Sequence, residues 1–357
     1  MLDFSSALYL GLRHPASTLR PWAQLTTGVP SALDEPAEAR RLASRLAALC
    51  GCESALLAPS TLHLFWDLPV LLGPRATVLV ESGSYAIGRW GAERAAAGGT
   101  PVRTFAQHDP GALRRALLSC PAGRRPVVIV DGLTPGEGPA PLAAYAQQVA
   151  RFGGRLVIDD TQALGVLGVA PGAPMPYGRG GGGSLRFHGL DAPQLLVIAS
   201  LAKGFGAPLA LLAGPRREVR RFTSASETRV HCSPPSTAAL RAAERALAVN
   251  RVRGEQLRVR LLRLVGLFRA GVERLGLHCS GGQFPVQALA PMTPVRVAAV
   301  QAELLRHGVR AVAQRHGRAR ARVCFVLTAR HSRADVAQAL AALAIALPLF
   351  GEARLAA

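Results

Sequence analysis

The chain contains a single lysine, Lys203, among 42 lysine and arginine residues. An arginine guanidinium stays protonated at any working pH, whereas a lysine amine can lose its proton and condense with an aldehyde. The one basic position that is not arginine is therefore the one suited to imine chemistry. Chance retention of a surface lysine is the alternative. The residue count alone does not separate the two, so the surrounding residues decide.

Polar residues follow three short apolar runs that are typical of buried strands. Asp159 follows the run RLVI, Ser200 and Lys203 follow LLVIA, and Ser60 lies just beyond SALLA. In open α/β sheets, ligands bind outside the carboxyl ends of the strands. We therefore predict that these residues lie at one edge of a sheet and form one site.

Pyridoxal phosphate (PLP) is a cofactor that uses each of these residue types. Its aldehyde forms an imine with a lysine, a carboxylate keeps its ring nitrogen protonated, and hydroxyls or helix-start amides hold its phosphate. Lys203, Asp159 and Ser200 are the candidates for these roles. Asp131, at the end of the run PVVIVD, is either a further catalytic carboxylate or a strand-terminal cap, and the cap is the more common role.

The apolar runs alternate with helical patterns along the first two thirds of the chain. The predicted strands cover residues 54–59, 76–81, 126–131, 155–160, 194–200 and 210–214. Residues 109–118 and 140–152 carry apolar side chains at helical spacing, and the glycine- and proline-rich residues 171–184 predict a loop. This alternation predicts an α/β fold with a mostly parallel sheet flanked by helices.

The pattern changes after residue 237. An arginine- and leucine-rich stretch predicts a helix to about residue 276 that Asn250 and Gly254 interrupt. Short strands and further helices then predict a smaller α+β domain. We therefore predict three parts: an N-terminal segment (1–40), a large α/β domain (41–245) and a small C-terminal α+β domain (246–357).

The formal charge of +20 raises nucleic acid as a partner. The arginines are spread along the chain rather than packed into one stripe, and aromatic residues, which stack on bases, make up only 5%. The six cysteines form no CxxC pair, and no histidine spacing is typical of a metal site. No apolar run is long enough to cross a membrane. We therefore predict a cytoplasmic protein that binds neither nucleic acid, metal nor membrane.

Two segments resemble the α-oxoamine synthase family, which has the class II aminotransferase fold, also called PLP fold type I. RLVIDDTQALGVLG (155–168) is similar to the family's V-D-D-A-H-x-x-G-V-x-G segment, and SLAKGFGAPLALLAGP (200–215) is similar to its T-x-x-K-x-F-G segment. Weaker similarities lie in FSSALYLGLRHP (4–15), TFAQHDPGAL (104–113) and HCSPPSTAAL (231–240). The resemblance covers nearly the whole chain and implies a sheet of the seven-stranded type.

The resemblance implies a role for each matching residue. Lys203 would carry PLP as a Schiff base, Asp159 would pair with the pyridinium nitrogen, and Ser200 would contact the phosphate. Tyr85 takes the place of the histidine that stacks on the cofactor ring, and a phenol ring can stack in the same way. The family's phosphate-cradling turn falls on Ser60, Thr61 and Leu62.

Several positions depart from the family pattern. Gln162 stands where a histidine contacts the cofactor's phenolic oxygen, and glutamine can donate a hydrogen bond but cannot shuttle a proton. Ala7 and Cys324 stand where an asparagine and an arginine bind the substrate's carboxylate. Pro135 replaces a phosphate-binding serine, and Thr134 beside it is a candidate substitute.

Two interpretations of these departures remain open. In the favoured one the enzyme has kept PLP and shifted its substrate, with Arg322 or another arginine of the run 315–322 binding an acid that is placed differently. In the other the chain is a catalytically silent partner subunit. We predict a homodimeric PLP-dependent transferase that joins an amino substrate to an acyl-CoA or acyl-carrier-protein thioester. An aminotransferase or an aldolase of a biosynthetic pathway is the alternative.

Overall fold

The computed structural model describes residues 1–317 and 319–354, without the side chains of residues 352–354. Within these residues the chain forms two compact units, each discontinuous in sequence. The larger unit consists of residues 13–134 and 139–252, and the smaller unit takes its residues from 1–12, 135–138 and 253–357. The domain boundaries after residues 40 and 245 remain predictions. No helix in the described part of the chain is both long and apolar enough to cross a lipid bilayer.

The strands, in chain order, are β1 (Leu2–Asp3), β2 (Ser54–Ala58), β3 (Ala76–Glu81), β4 (Val102–Phe105), β5 (Arg125–Asp131), β6 (Leu133–Thr134), β7 (Gly138–Pro139), β8 (Arg155–Asp159), β9 (Leu195–Ser200), β10 (Ala210–Gly214), β11 (Cys279–Ser280), β12 (Val286–Leu289), β13 (Val309–Arg310), β14 (Val312–His316) and β15 (Arg320–Val326). The α-helices are α1 (Ala37–Cys50), α2 (Thr61–Trp66), α3 (Leu68–Leu72), α4 (Ala86–Ala97), α5 (Pro110–Leu118), α6 (Leu142–Arg151), α7 (Ser184–His188), α8 (Arg216–Ala225), α9 (Glu227–His231), α10 (Thr237–Arg274), α11 (Pro294–Arg306) and α12 (Arg333–Ile345). Two 3-10 helices cover Ala16–Thr18 and Leu347–Arg354.

The larger unit is built on a seven-stranded sheet in the order β2-β10-β9-β8-β5-β3-β4. Strand β10 is antiparallel to both of its neighbours, and the pairings from β9 to β4 are parallel. The central strands are almost entirely buried, which is why they read in the sequence as continuous apolar runs. The predicted α/β fold with a mostly parallel seven-stranded sheet is therefore confirmed.

One face of this sheet carries a large part of the core. Side chains of β3, β5 and β9 pack there against the helices α2, α3, α4 and α8, with Phe65 and Phe222 among the fully buried residues. Burial of such side chains is the main source of stability for the sheet, at roughly 1.5–3 kcal/mol for each fully buried large apolar residue. The core thus holds the carboxyl ends of the parallel strands in fixed positions.

The smaller unit contains an antiparallel sheet in the order β11-β12-β15-β14 and a short parallel pair of β1 with β13. Helices α11 and α12 belong to the same unit. Strand β1 therefore pairs with a strand that lies about three hundred residues further along the chain, as the pairing of Leu2 with Val309 shows.

The prediction that Asn250 and Gly254 interrupt the long helix is wrong, because α10 is continuous from Thr237 to Arg274. Asparagine and glycine weaken a helix interior by only about 1 kcal/mol or less, which tertiary contacts offset. The buried Asn250 side chain makes such a contact, since its Nδ2 donates a hydrogen bond to the carbonyl oxygen of Gly180 at 2.9 Å.

Candidate active site

Two aspartates end neighbouring strands at the carboxyl edge of the large sheet. Asp131 ends β5, Asp159 ends β8, and the two residues are paired in register. Burial, together with the adjacent charge of Asp159, raises the pKa of Asp131 to about 8, against the opposing hydrogen bond from Tyr85. Burial also raises the pKa of Asp159, although hydrogen bonds from Thr161 and the charge of Lys203 work in the opposite direction. Burial therefore disfavours the charged form of both carboxyl groups at this edge, and the charge of Lys203 offsets only part of that effect.

Lys203 lies in the turn that follows β9 and is half-buried. Its Nζ lies 5.8 Å from the centroid of the Tyr85 ring. Burial lowers the pKa of Lys203, and the charges of Asp159 and Asp131 oppose this shift. Loss of the proton leaves a neutral amine, which is the nucleophilic form of a lysine.

Tyr85 immediately precedes α4 and exposes 58% of its surface. Its backbone N–H donates to both carboxylate oxygens of Asp131 at 3.1 Å. Asp131 therefore holds the start of α4, and with it the ring that faces Lys203. The sequence left open whether Asp131 is a catalytic carboxylate or a cap. The hydrogen bonds show that it caps the start of α4, and a catalytic role stays a prediction.

Thr161 connects two of the predicted site residues and was not singled out from the sequence. Its backbone N–H donates to Oδ1 of Asp159 at 3.0 Å, and its hydroxyl also hydrogen-bonds to that carboxylate. The backbone N–H of Ser200 in turn donates to Oγ1 of Thr161 at 3.0 Å. The available signal was a hydroxyl residue two positions beyond a strand-end aspartate. Gln162, the next residue, is half-buried.

The remaining predicted phosphate contacts lie at the end of β9 and in the segment that leads from β2 into α2. Since β10 is antiparallel to both strands, β2 and β9 run in the same direction, and Ser60 beyond β2 lies at the same edge as Ser200. The Ser60 hydroxyl lies 2.8 Å from Nδ1 of His63, and the Ser200 hydroxyl accepts from the backbone N–H of Ala202 at 3.2 Å. Thr61 and Leu62 begin α2, where Thr61 is buried and Leu62 is exposed.

The candidate substrate-carboxylate residues belong to the smaller unit. Nε of Arg322 donates to Oε1 of Gln314 at 2.9 Å, and the thiol of Cys324 donates to the same oxygen at 3.2 Å. Burial raises the pKa of Cys324 to about 11, so its sulfur stays protonated at neutral pH. Arg318 of the candidate arginine run lies outside the described residues.

Two departures noted in the sequence, Ala7 and Pro135, also belong to the smaller unit. Thr134, the proposed substitute for the lost phosphate-binding serine, belongs to the larger unit. Its Oγ1 accepts a hydrogen bond from Nε2 of Gln107 at 3.1 Å. The Thr134 hydroxyl is thus held by a neighbour on the loop that follows β4.

The sequence is similar to a known enzyme family and to curated members of it. The family model described as aminotransferase class I and II matches residues 67–343. A curated relative, the 8-amino-7-oxononanoate synthase of Halorhodospira halophila, is 32% identical over 319 residues, which are 87% of this chain and 75% of the relative. The enzyme of the same name from Aromatoleum aromaticum is 30% identical over 95% of this chain and 88% of the relative.

Solved structures show the same fold. Serine palmitoyltransferase of Sphingomonas wittichii superimposes with a TM-score of 0.85 at 17% identity, covering 98% of this chain and 88% of that one. The 8-amino-7-oxononanoate synthase of Francisella tularensis gives 0.73 at 15% identity, with 97% and 98% covered. The product in that enzyme's name carries an amino group beside an oxo group, so it is an α-oxoamine. The resemblance read from the two sequence segments is therefore confirmed.

Proposed function

The chain belongs to the class I and II aminotransferase family, and on that premise we propose that it is a PLP-dependent transferase of the α-oxoamine synthase type. The proposed reaction forms a bond between the α-carbon of an amino acid and the acyl carbon of a thioester, and it releases the amino acid's carboxyl group as carbon dioxide and the thioester's sulfur as a free thiol. The 8-amino-7-oxononanoate synthases among its relatives support this reaction class, because the product in their name is an α-oxoamine. The observation that carries the proposal is the sole lysine of the sequence at the carboxyl edge of the sheet, beside Asp159 and the Tyr85 ring.

The residues at this edge fit PLP by their chemistry. The cofactor requires an amine, a carboxylate, an aromatic face and hydroxyl groups. Lys203 provides a half-buried amine, Asp159 a buried carboxylate, Tyr85 an exposed ring next to that amine, and Ser200 a hydroxyl at the end of β9. Ser60 adds a hydroxyl at the same edge.

When bound, PLP supplies an aldehyde for imine formation and a ring that withdraws electrons from the substrate's α-carbon. Asp159 would hold a proton on the ring nitrogen, and Thr161 orients that carboxylate through hydrogen bonds. Ser200 would bind the phosphate, together with the turn at Ser60, Thr61 and Leu62.

Lys203 is also the group suited to moving a proton in this site. Glutamine neither gains nor loses a proton near neutral pH, so Gln162 can hold an oxygen by a hydrogen bond but cannot act as a base. The amine of Lys203 can, because burial lowers its pKa towards the working range. We assign the proton transfers at the substrate's α-carbon to Lys203 and an orienting role to Gln162.

Arg322 is our candidate for binding a substrate carboxylate. Its Nε is held by Gln314, while a guanidinium can bind a carboxylate through two parallel hydrogen bonds. A homodimer, an acyl-CoA or acyl-carrier-protein donor, and a cytoplasmic location complete the proposal. Sedimentation of the purified protein and a panel of acyl thioesters would test the first two.

The cofactor site is tested by absorption spectra of the purified protein with PLP, before and after borohydride reduction, with mass spectrometry to locate the adduct. We expect an imine band and a reduced cofactor on the peptide that contains Lys203. The variant Lys203→Ala should lose both, and Lys203→Arg is the matched control because it keeps the positive charge without an amine that can condense. Wild-type protein that shows neither band nor adduct would overturn the proposal.

The reaction class is tested by release of carbon dioxide from carboxyl-labelled amino acids, with and without an acyl thioester. Release that depends on the thioester supports the condensation. Formation of an oxo acid without carbon dioxide would indicate an aminotransferase, and release of an aldehyde would indicate an aldolase. A protein that binds PLP on Lys203 yet turns over only when a second subunit is added would be a partner subunit.

A further inference from the structure

A cleft of about 430 Å³ on the larger unit has arginine at four of its eight lining positions. It lies among the residues that follow the first 3-10 helix, the middle of α1 and the first turns of α10. Its charged residues are Arg20, Arg45, Arg241, Glu244 and Arg245. We call it the arginine cleft. None of these residues takes part in the site around Lys203.

Two of the arginines are paired with carboxylates. Arg241 has only 11% of its side chain exposed and contacts Glu38 at 2.9 Å and Glu244 at 3.3 Å. Arg20 contacts the same Glu244 at 2.8 Å. Glu38 and Glu244 thus form ion pairs with Arg20 and Arg241. The Nε of Arg241 is buried and has no hydrogen-bond partner within the described part of the chain.

Arg45 and Arg245 have no carboxylate partner among residues 1–317 and 319–354. Arg45 is exposed on α1. Arg245 is half-buried and donates to neutral acceptors only, the carbonyl oxygen of Arg13 at 3.3 Å and Nδ1 of His14 at 3.4 Å. The cleft therefore carries two guanidinium charges that no described acid neutralises.

His14 accepts a hydrogen bond from Arg245 and so orients its side chain. Nε2 of His14 lies 2.8 Å from the carbonyl oxygen of Phe205, which can only accept, so Nε2 carries the hydrogen. The other nitrogen, Nδ1, then accepts from Arg245. Burial lowers the pKa of His14, and Arg245 lowers it further against the effect of the Phe205 carbonyl. A neutral histidine thus orients Arg245.

We propose that the arginine cleft binds a small molecule through a diphosphate group seated on Arg45 and Arg245. Guanidinium groups bind phosphate oxygens through paired hydrogen bonds, and two uncompensated charges suit a ligand with at least two negative charges. The volume of the cleft falls in the range of about 300–1,000 Å³ that is usual for small-molecule sites. A free nucleoside diphosphate and the diphosphate of a coenzyme-A thioester share this chemistry.

Calorimetric titration with pyrophosphate, ADP and desulfo-coenzyme A tests the proposal. The test variant is Arg45→Gln/Arg245→Gln. The matched control is Arg114→Gln/Arg151→Gln, which removes the same charge from two exposed arginines of α5 and α6. We expect pyrophosphate to bind the wild type and the control within about twofold of each other, and the test variant at least about tenfold more weakly.

The three ligands distinguish a site for a free nucleoside diphosphate from a site for a coenzyme-A thioester. Tighter binding of desulfo-coenzyme A than of ADP identifies the thioester carrier, and equal binding identifies a nucleoside diphosphate. The proposal is overturned if wild-type protein binds none of the three ligands. It is also overturned if both double variants lose affinity equally, because binding would then depend on the net charge of the protein and not on the cleft.

Two further measurements show whether a loss of pyrophosphate binding comes from the cleft itself, from misfolding or from damage to the Lys203 site. Arg45→Lys keeps the charge and loses the paired geometry, so it should weaken pyrophosphate binding even where the double variant does not fold. The absorption titration with PLP should be unchanged in Arg45→Gln/Arg245→Gln, because neither arginine belongs to the Lys203 site. Failure of the cleft and failure of the proposed cofactor site are therefore separate outcomes.

Discussion

Thr161 joins the carboxylate of Asp159 to the backbone of Ser200. Replacing Thr161 by alanine removes the hydroxyl contact to both residues, and each lost hydrogen bond costs about 0.5–1.5 kcal/mol. We expect Thr161→Ala to weaken PLP binding by about tenfold. Titration of the apoprotein with PLP, followed by absorbance, measures this affinity.

Thr161→Ser is the matched control, because it keeps the hydroxyl and loses only a methyl group. It should bind PLP within about threefold of the wild type. Equal losses in Thr161→Ala and Thr161→Ser would show that the methyl group, through packing, is what the site requires. The hydrogen-bond interpretation would then be wrong.

Asp160 provides a pH-dependent contribution to stability. Its carboxylate accepts from the backbone N–H of Ser184 at 2.9 and 3.2 Å, and burial raises its pKa from 3.8 to about 7. Between these two values the folded chain keeps a proton that the unfolded chain has lost. The contribution of Asp160 to the free energy of unfolding therefore decreases as pH rises, by at most about 1.4 kcal/mol per pH unit.

Asp160→Asn removes this titration. Urea denaturation of both proteins at several pH values gives the difference between their free energies of unfolding, in which the other titrating groups cancel. We expect the variant to gain stability relative to the wild type as pH rises from about 4 to about 7. A difference that stays constant across this range would show that Asp160 is ionised in the folded state throughout.

The sequence predicted site residues that are of a rare type or that lie at the end of a strand. It did not predict the contacts between them. Lys203 and Asp159 could be found because one is the sole lysine and the other closes an apolar run. Thr161 and His14 could not, because their partners Ser200 and Phe205 come from other parts of the chain. Such contacts are fixed only when the strands are placed side by side.

Helices α2 and α4 approach each other closely at Gly91. A Cβ at this position would lie 2.5 Å from the carbonyl oxygen of Phe65, which is a backbone atom and cannot rotate away. We expect Gly91→Ala to lower the free energy of unfolding by about 1–3 kcal/mol, since overpacking forces backbone shifts. Urea denaturation followed by circular dichroism measures it.

Gly266→Ala is the control for helix propensity. Gly266 is exposed in α10, and a Cβ there would have no atom within 4 Å among the described residues. The substitution should raise the free energy of unfolding by about 0.5–1 kcal/mol, because alanine loses less backbone entropy than glycine. If Gly91→Ala is stabilising to the same extent, the two helices are not in tight contact.

The sequence predicted a strand where its residues are buried and missed strands that expose polar side chains. Strand β3 was predicted with the bounds that the structure has, because all six of its residues are buried and only Thr77 and Glu81 are polar. Strands β4 and β14 were not predicted, since exposed arginines or histidines break their apolar pattern. The continuity of α10 also escaped prediction, because it depends on contacts such as that of Asn250 with Gly180.

The formal charge of the whole molecule is +20 at pH 7, from 42 basic and 22 acidic residues. Like charges repel one another in the compact state, and salt screens this repulsion over a Debye length of about 10 Å at 0.1 M. We expect the midpoint of thermal unfolding to rise as NaCl is increased from about 20 to about 200 mM and then to level off. Differential scanning calorimetry measures it.

The levelling distinguishes screening from a general salt effect, which would continue to grow with concentration. A midpoint that falls as salt is added would show that ion pairs such as Arg155 with Glu218, at 2.6 Å, outweigh the repulsion. The sequence supplied the net charge, but the pairing of these charges could be read only from the structure.

Lys203 carries the only ε-amine of this sequence, and it is half-buried beside Asp159. Enzymes and reagents that acylate lysine side chains therefore have a single target residue in this sequence of 357 residues. With the proposed role of Lys203, an acyl group on this amine would block imine formation with PLP, so acetylation of this one side chain would abolish the proposed activity. The fraction of Lys203 side chains that an amine-reactive ester labels, measured on the Lys203 peptide by mass spectrometry and so separately from the N-terminal amine, should equal the fraction of PLP-binding capacity that is lost.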